Sequence, residues 1–167
     1  MITIIDNTLS KEECNELIML YKQNAECCHH HNGTYPLNIY NARVASDRIE
    51  SLIDKVLNRV YNVNKDVELE WVEIVKWPTG TSQPLHLDTA SDETVFTSIT
   101  YLNDEFDGGN THMEDGTNIG IVTARTIAFD GMKYTHGVKE VTNGIRFTVA
   151  AWYRKRKNKS YVEYYGN

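Results

Sequence analysis

From Glu68 onward the chain changes period. Leu69, Trp71, Glu73, Val75 and Trp77 alternate with Glu70, Val72, Ile74 and Lys76, and Pro78-Thr79-Gly80 ends the run. A repeat of two separates these side chains onto two faces only in an extended strand. Before that point the period is helical. Ile49, Leu52, Ile53, Val56, Leu57 and Val60 recur at spacings of three and four, which predicts a helix from about Ser46 to Val60. Ser10 opens an earlier helix: Glu13, three residues on, completes a capping box, and Leu17, Ile18 and Leu20 follow as its apolar stripe. Ile2 to Ile5 reads as a short β-branched strand, and the stretch from about Asn24 to Ala42, with Gly33, Pro36 and several Asn, as loop.

Past Gly80 the strand candidates are short. They are Leu85–Asp88, Val95–Leu102, Ile119–Val122, Thr126–Phe129, His136–Val141 and Ile145–Tyr153, punctuated by Gly and Asn. Two helices followed by many short strands predict an α+β fold whose β part is a sandwich or barrel. No repeat, linker or low-complexity segment divides the 167 residues, so one domain over 1–167 is expected.

A net charge of −6 argues against a chain that holds nucleic acid by bulk charge. The basic run Arg154, Lys155, Arg156, Lys157 and Lys159 reads as a solvated tail rather than a partner-binding patch. Cys14, Cys27 and Cys28, odd in number and two of them adjacent, make no disulfide framework and fit a reducing, cytoplasmic setting. Met1 to Asp6 has no basic region leading into an apolar one, so no leader is expected, and no apolar run approaches the roughly 18 residues of a membrane span.

His86-Leu87-Asp88 sets two metal-binding side chains at i and i+2, which share one face of a strand. His136 follows fifty residues later in another extended segment. Two histidines and one carboxylate on one face of an octahedral metal leave three positions open, the arrangement of non-haem iron(II) oxygenases, whereas zinc prefers a nearly closed tetrahedron. Each piece has an ordinary reading: His-x-Asp as an accident, and His136 as a core histidine beside Gly137.

Arg146 lies ten residues beyond His136, on a strand face with Thr148, Ala150 and Trp152. Arginine in an apolar strand is costly unless paired, and its fork suits a carboxylate. The partner is either a bound anion or an internal Asp or Glu. Asn143-Gly144 resembles a tight hairpin turn. In an unbroken two-residue hairpin His136 and Arg146 would face opposite ways. Both face inward if their strands belong to opposing sheets, so Asn143-Gly144 is read as part of a sheet-crossing connection.

These residues carry a resemblance. Tyr101-Leu102-Asn103-Asp104-Glu105-Phe106-Asp107-Gly108-Gly109-Asn110-Thr111 resembles the segment between metal ligands in prolyl-4-hydroxylase-type iron(II)/2-oxoglutarate dioxygenases. So do Trp77-Pro78-Thr79-Gly80 before His86-x-Asp88, then His136-Gly137-Val138, Gly144-x-Arg146 and Trp152-Tyr153, and the leading Leu9-Ser10-x-x-Glu13-Cys14 helix. The resemblance implies a double-stranded β-helix, or jelly roll, behind N-terminal supporting helices. It implies His86, Asp88 and His136 as iron ligands, and Arg146 with Tyr101 on the far carboxylate of 2-oxoglutarate. Thr148, on the face of Arg146, joins these co-substrate contacts, and Thr97 and Ile99 share the face of Tyr101. It further implies O₂ as oxidant, ascorbate as an accessory reductant, and hydroxylation of a peptidyl proline in a peptide or protein substrate. Residues from about Cys27 to Asn41 are then expected to cover the bound substrate. Trp77 stands where relatives often carry Tyr, Gln83 where another aromatic is common, and Thr123-Ala124-Arg125-Thr126 where Pro-x-x-Gly is frequent. These departures bear on substrate identity, not on iron chemistry.

Other polar groups read as bland. His29-His30-His31 beside Cys27-Cys28 is a solvated loop, His112 with Glu114 and Asp115 lies in a Gly-rich loop, and Glu73 and Lys76 are strand surface residues. Two rivals stand beside the enzyme: a jelly-roll module that binds metal or ligand without turnover, and an oxygenase acting on a nucleic-acid base or small molecule. The nucleic-acid form of the second is the weaker, because Arg146-Phe147-Thr148-Val149-Ala150-Ala151-Trp152 lacks the second arginine of the nucleic-acid demethylases.

Overall fold

The computed structural model describes residues 1–40, 44, 46–88, 91 and 93–157. Its first helix, α1 (Lys11–Gln23), starts as the sequence predicts: Ser10 Oγ accepts from the Glu13 N–H at 3.1 Å, and the Glu13 carboxylate accepts from the Ser10 N–H at 2.9 Å. The second, α2 (Asp47–Val63), is capped by Ser46 and buries the expected stripe from Ile49 to Val60. Both helices lie against one face of a large sheet, where Leu17, Ile53 and Val56 join Val72, Ile74, Val149 and Tyr153 in the main core.

That sheet contains β1 (Thr3–Ile5), β2 (Tyr35–Asn38), β3 (Val67–Pro78), β5 (Thr94–Tyr101), β8 (Thr126–Phe129) and β10 (Val141–Lys155), in the order β1-β8-β5-β10-β3-β2. The short β6 (Phe106–Gly108) pairs with the start of β10. A second sheet is built from β4 (Gln83–His86), β9 (His136–Val138) and β7 (Thr111–Met113), in the order β4-β9-β7. Two apolar clusters fill the space between the sheets. One joins Ile99, Tyr101, Met113, Ile127 and Phe129; the other joins Val75, Trp77, Val138, Val141 and Ala150. This is the jelly roll that the alternation pattern and the resemblance imply, with α1 and α2 as its outer support.

Several sequence expectations change. Ile119–Val122 is not a strand: the Ile119 N–H bonds Thr111 O, then Arg125 takes the Gly120 carbonyl and Ala124 turns with φ 65°, leading the chain away. Strand β4 is Gln83–His86 rather than Leu85–Asp88, so Asp88 sits just past its end. Strand β2 lies inside the segment read as loop; as the edge strand it tolerates Pro36. Strands β6 and β7 are three residues each, too short to show a period.

Asn143-Gly144 is neither a turn nor the crossing. Strand β9 ends at Val138, the chain changes sheets at Lys139-Glu140, and β10 continues through the Asn-Gly pair. There Asn143 and Gly144 oppose Asp107 and Phe106. Gly144 has φ 79°, and a Cβ on it would stand 3.0 Å from Glu105 O, so glycine marks a distortion within the strand.

All three cysteines are free, and among the described residues no helix is long and apolar enough to cross a membrane. The basic run is partly paired: Arg154 bonds Glu68 and Glu93, and Lys157 lies 3.5 Å from Glu93. Lys159 lies outside the described residues, as do Asn41 and Ala42 in the segment read as loop.

Candidate active site

Antiparallel β4 and β9 set His86 directly opposite His136. Their ring centroids are 4.4 Å apart. Each imidazole uses Nδ1 on a carbonyl two residues earlier, His86 on Pro84 O at 2.9 Å and His136 on Tyr134 O at 3.0 Å. A carbonyl only accepts, so each Nδ1 carries a hydrogen; in the neutral ring Nε2 is then a lone pair available to a metal, and in the protonated ring it donates toward Asp88.

Both Nε2 atoms converge on Asp88. Its Oδ1 is 3.5 Å from His86 Nε2 and its Oδ2 is 3.7 Å from His136 Nε2. Ligand atoms from the three residues lie within 4.8 Å of one another, and the trio could hold a metal ion. Thr97 Oγ1 donates to Asp88 Oδ2 at 2.5 Å, fixing the carboxylate. Gly131 closes the site from behind: it accepts the Asp88 N–H, and a Cβ on it would stand 2.5 Å from Thr97 Oγ1. Any larger residue would displace the carboxylate or its anchor.

Electrostatics follow from this placement. Burial pushes the Asp88 pKa up, but the His86 hydrogen bond and the charge of His136 outweigh it and hold the carboxyl below its ordinary value. The Asp88 hydrogen bond raises His86, while burial lowers His136. Gln83 Nε2 lies 3.2 Å from His86 Nε2.

Arg146 is fully buried at the inner end of the same cavity. Its guanidinium stacks 4.6 Å over Trp77 and 5.3 Å over Tyr101. Nη2 donates to Thr111 Oγ1 at 3.3 Å, and Nε and Nη1 have no hydrogen-bond partner. Burial pushes its pKa down, and no described carboxylate pairs with it. The internal acid allowed by the sequence is therefore not found among the described residues. Tyr101 OH donates to Thr111 Oγ1 at 2.8 Å, keeping both groups beside the guanidinium. Gly109 allows the fit, since a Cβ there would stand 3.2 Å from Arg146 Cδ. Leaving two charged donors dry costs on the order of 1–3 kcal/mol or more each. An entering carboxylate would relieve that cost.

The cavity has a volume of about 480 Å³ and reaches from Arg146 and Thr148, past the His-Asp-His trio, to Trp71 and Trp152 at its mouth. All the proposed metal and co-substrate residues except Tyr101 line it, and Tyr101 lies just behind, stacked on Arg146. The segment read as a cover supplies part of the rim through His29, His31, Asn32 and Thr34, with Asn32-Gly33 as a tight turn at positive φ.

Two further residues belong to the site. Thr111 sits on the unanticipated β7, so no pattern flagged it. Glu73 is not a surface residue: half-buried, it faces the cavity from β3. His112 points away from the trio, on the side of β7 opposite Thr111 and Met113, with its Nδ1 buried and unpartnered.

No family model and no curated protein matches the sequence. Solved structures do match. A prolyl-4-hydroxylase from Pseudomonas putida superposes with a TM-score of 0.75 at 17% identity, covering 93% of each chain. A collagen prolyl hydroxylase of Paramecium Bursaria Chlorella virus-1, in complex with 2-oxoglutarate, gives 0.69 at 21% identity over 93% of this chain and 96% of its own. A Trichoplax adhaerens prolyl hydroxylase, bound to a hypoxia inducible factor peptide fragment, gives 0.73 at 18% identity over 92% and 83%. What is shared at these identities is the fold.

Proposed function

We propose that residues 1–167 form one iron(II)- and 2-oxoglutarate-dependent dioxygenase domain of the prolyl-4-hydroxylase type. The observation that carries this reading is the unpartnered guanidinium of Arg146, dry and aimed into the cavity that also holds the His86–Asp88–His136 trio. A metal site alone needs no buried arginine; a metal site that chelates a dicarboxylic acid needs a cation at a fixed distance for the far carboxylate.

The donor set fits the group. Two neutral imidazole nitrogens and one carboxylate suit iron(II) and leave positions for co-substrate and O₂. His86 Nε2, Asp88 and His136 Nε2 would hold the metal. Iron(II) with 2-oxoglutarate and O₂ supplies the oxidising power for C–H hydroxylation, with succinate and CO₂ as co-products.

The chain's own residues prepare the site. The Pro84 and Tyr134 carbonyls hold each ring in the tautomer that exposes Nε2. Thr97 orients the Asp88 carboxylate. Arg146 would take the far carboxylate of 2-oxoglutarate in a two-pronged contact, with Tyr101 and Thr148 beside it. Trp77, Ile99 and Val138 wall the pocket with apolar surface. Peptidyl proline is the substrate this reading favours, supported by the prolyl hydroxylases that share the fold.

The test is mass spectrometry of proline-containing peptides after incubation with iron(II), ascorbate and 2-oxoglutarate, with succinate measured in parallel. A gain of one oxygen on proline, coupled to succinate, is expected. Succinate with no proline product moves the substrate to another class, and no succinate with any peptide leaves the jelly-roll binding module.

A further inference from the structure

Beyond the trio and the arginine, one charged group inside the cavity has no role in either. Glu73 sits on the inward face of β3, between Trp71 and Val75. Across its two ladders it faces Ala150 of β10, which contributes no polar atom, and Asn38 of β2, whose Oδ1 accepts from the Tyr40 N–H. Among the described residues none hydrogen-bonds or ion-pairs with the carboxylate; the charges that reach it come from His29 and His31 at the rim, and burial raises its pKa. Its nearest inward neighbours on these two strands, Val75 and Ala150, are apolar. A carboxylate in such a wall costs stability unless something else pairs with it.

Register fixes where Glu73 stands. Arg146 pairs with Trp77, Thr148 with Val75, Ala150 with Glu73 and Trp152 with Trp71. Glu73 is thus four residues from the Arg146 row, roughly 13 Å along the strand. Thr97, which holds Asp88, pairs with Trp152, so along the strands Glu73 lies between the Arg146 row and the level of the trio, set aside from it by the width of β10 and turned toward the rim residues His29 and His31. Beside it Trp71 and Trp152 stack at 4.8 Å with their planes 31° apart, both lining the mouth. Indole faces next to one carboxylate recognise an organic cation: the rings attract it through their quadrupoles, and the carboxylate neutralises it. A net charge of −6 favours the approach of such a ligand.

We propose that Glu73, flanked by Trp71 and Trp152, is the specificity residue of this pocket and takes an ammonium or guanidinium group carried by the substrate, such as a lysyl or arginyl side chain near the hydroxylated position. This rests on the oxygenase reading for its purpose, but the cation site itself can be tested apart from it.

The experiment is tryptophan fluorescence of the full chain titrated with small blocked amino acids: N-acetyl-lysine methylamide, N-acetyl-arginine methylamide, their neutral counterpart N-acetyl-norleucine methylamide, and n-butylamine. The cationic amides are expected to quench saturably, at least about tenfold tighter than norleucine. Glu73→Gln, which keeps shape and removes charge, is expected to shrink that preference to about twofold or less, with a melting temperature equal to or above that of the native protein. Equal binding of n-butylamine and the lysine amide supports the cation site and assigns it to a free amine; weaker binding of n-butylamine supports a peptide side chain. The proposal is overturned if norleucine binds as well as lysine, if no amide quenches, or if the preference survives in Glu73→Gln. Trp152→Phe is a second variant that keeps an aromatic wall and should retain the preference if the carboxylate sets it. Titration of 2-oxoglutarate into the same protein loaded with manganese(II) separates the two readings: cation binding without 2-oxoglutarate binding sinks the oxygenase and leaves the cation site, and the reverse sinks the cation site alone.

Discussion

Thr97 of β5 donates its hydroxyl hydrogen to Asp88 Oδ2, so the only carboxylate of the His-Asp-His trio is held by a strand of the opposite sheet. The trio is therefore a product of the two sheets meeting, not of β4 and β9 alone. Thr97→Val keeps the shape and removes the donor. Metal affinity should fall by about 10–100-fold while the protein stays folded. Calorimetric titration with iron(II) under anaerobic conditions, beside a thermal melt, is the check; unchanged affinity would show that the bond does not orient the ligand.

Asp88→Ala removes the only anionic donor of the trio. Iron binding at micromolar levels should disappear, a loss beyond about 100-fold. The same titration reads it. Full affinity in the variant would mean that the metal sits elsewhere.

Metal should also stabilise the fold. A ligand bound only by the native state adds about 2.7 kcal/mol at a hundred times its Kd. Melting with manganese(II), then with excess chelator, should show a reversible rise and fall in the midpoint. No shift at any metal concentration would contradict a preformed site.

Gly144 gives a test of the fold itself. Alanine there must hold φ near 79° with its Cβ 3.0 Å from Glu105 O and 3.2 Å from Phe106. Gly144→Ala should lower stability by about 1–3 kcal/mol, read as a shift of the urea midpoint. A neutral result would show that β10 can straighten at this point.

Much of this architecture is legible in the residues. The alternation of Leu69 to Trp77 marks a strand, and Ile49 to Val60 a helix, because each buries one coherent face. The same pattern misleads at Glu73. Period two tells which residues share a face, but β3 is covered by helices on one side and encloses the cavity on the other, so neither face is the wet one. Asn143-Gly144 misleads for a related reason: a glycine at positive φ serves a turn or a strand distortion equally well, and only the partner strand decides. Thr111 was hidden because three residues of β7 show no period, and its role comes from Tyr101 and Arg146, both distant in sequence. The spacing of His86, Asp88, His136 and Arg146 was visible; their convergence depends on β4 pairing with β9 while Arg146 rises from the facing sheet.

The central claim is that Arg146 is buried to meet a dicarboxylic acid. The direct measurement is the affinity of 2-oxoglutarate for the manganese(II)-loaded native protein, for Arg146→Lys and for Arg146→Ala, with metal affinity measured beside it. Arg146→Lys should bind moderately more weakly, because it keeps the charge and loses the two-pronged contact. Arg146→Ala should lose roughly 2–5 kcal/mol of 2-oxoglutarate binding, and metal binding should survive in both variants. Native-like 2-oxoglutarate affinity in Arg146→Ala would contradict the account.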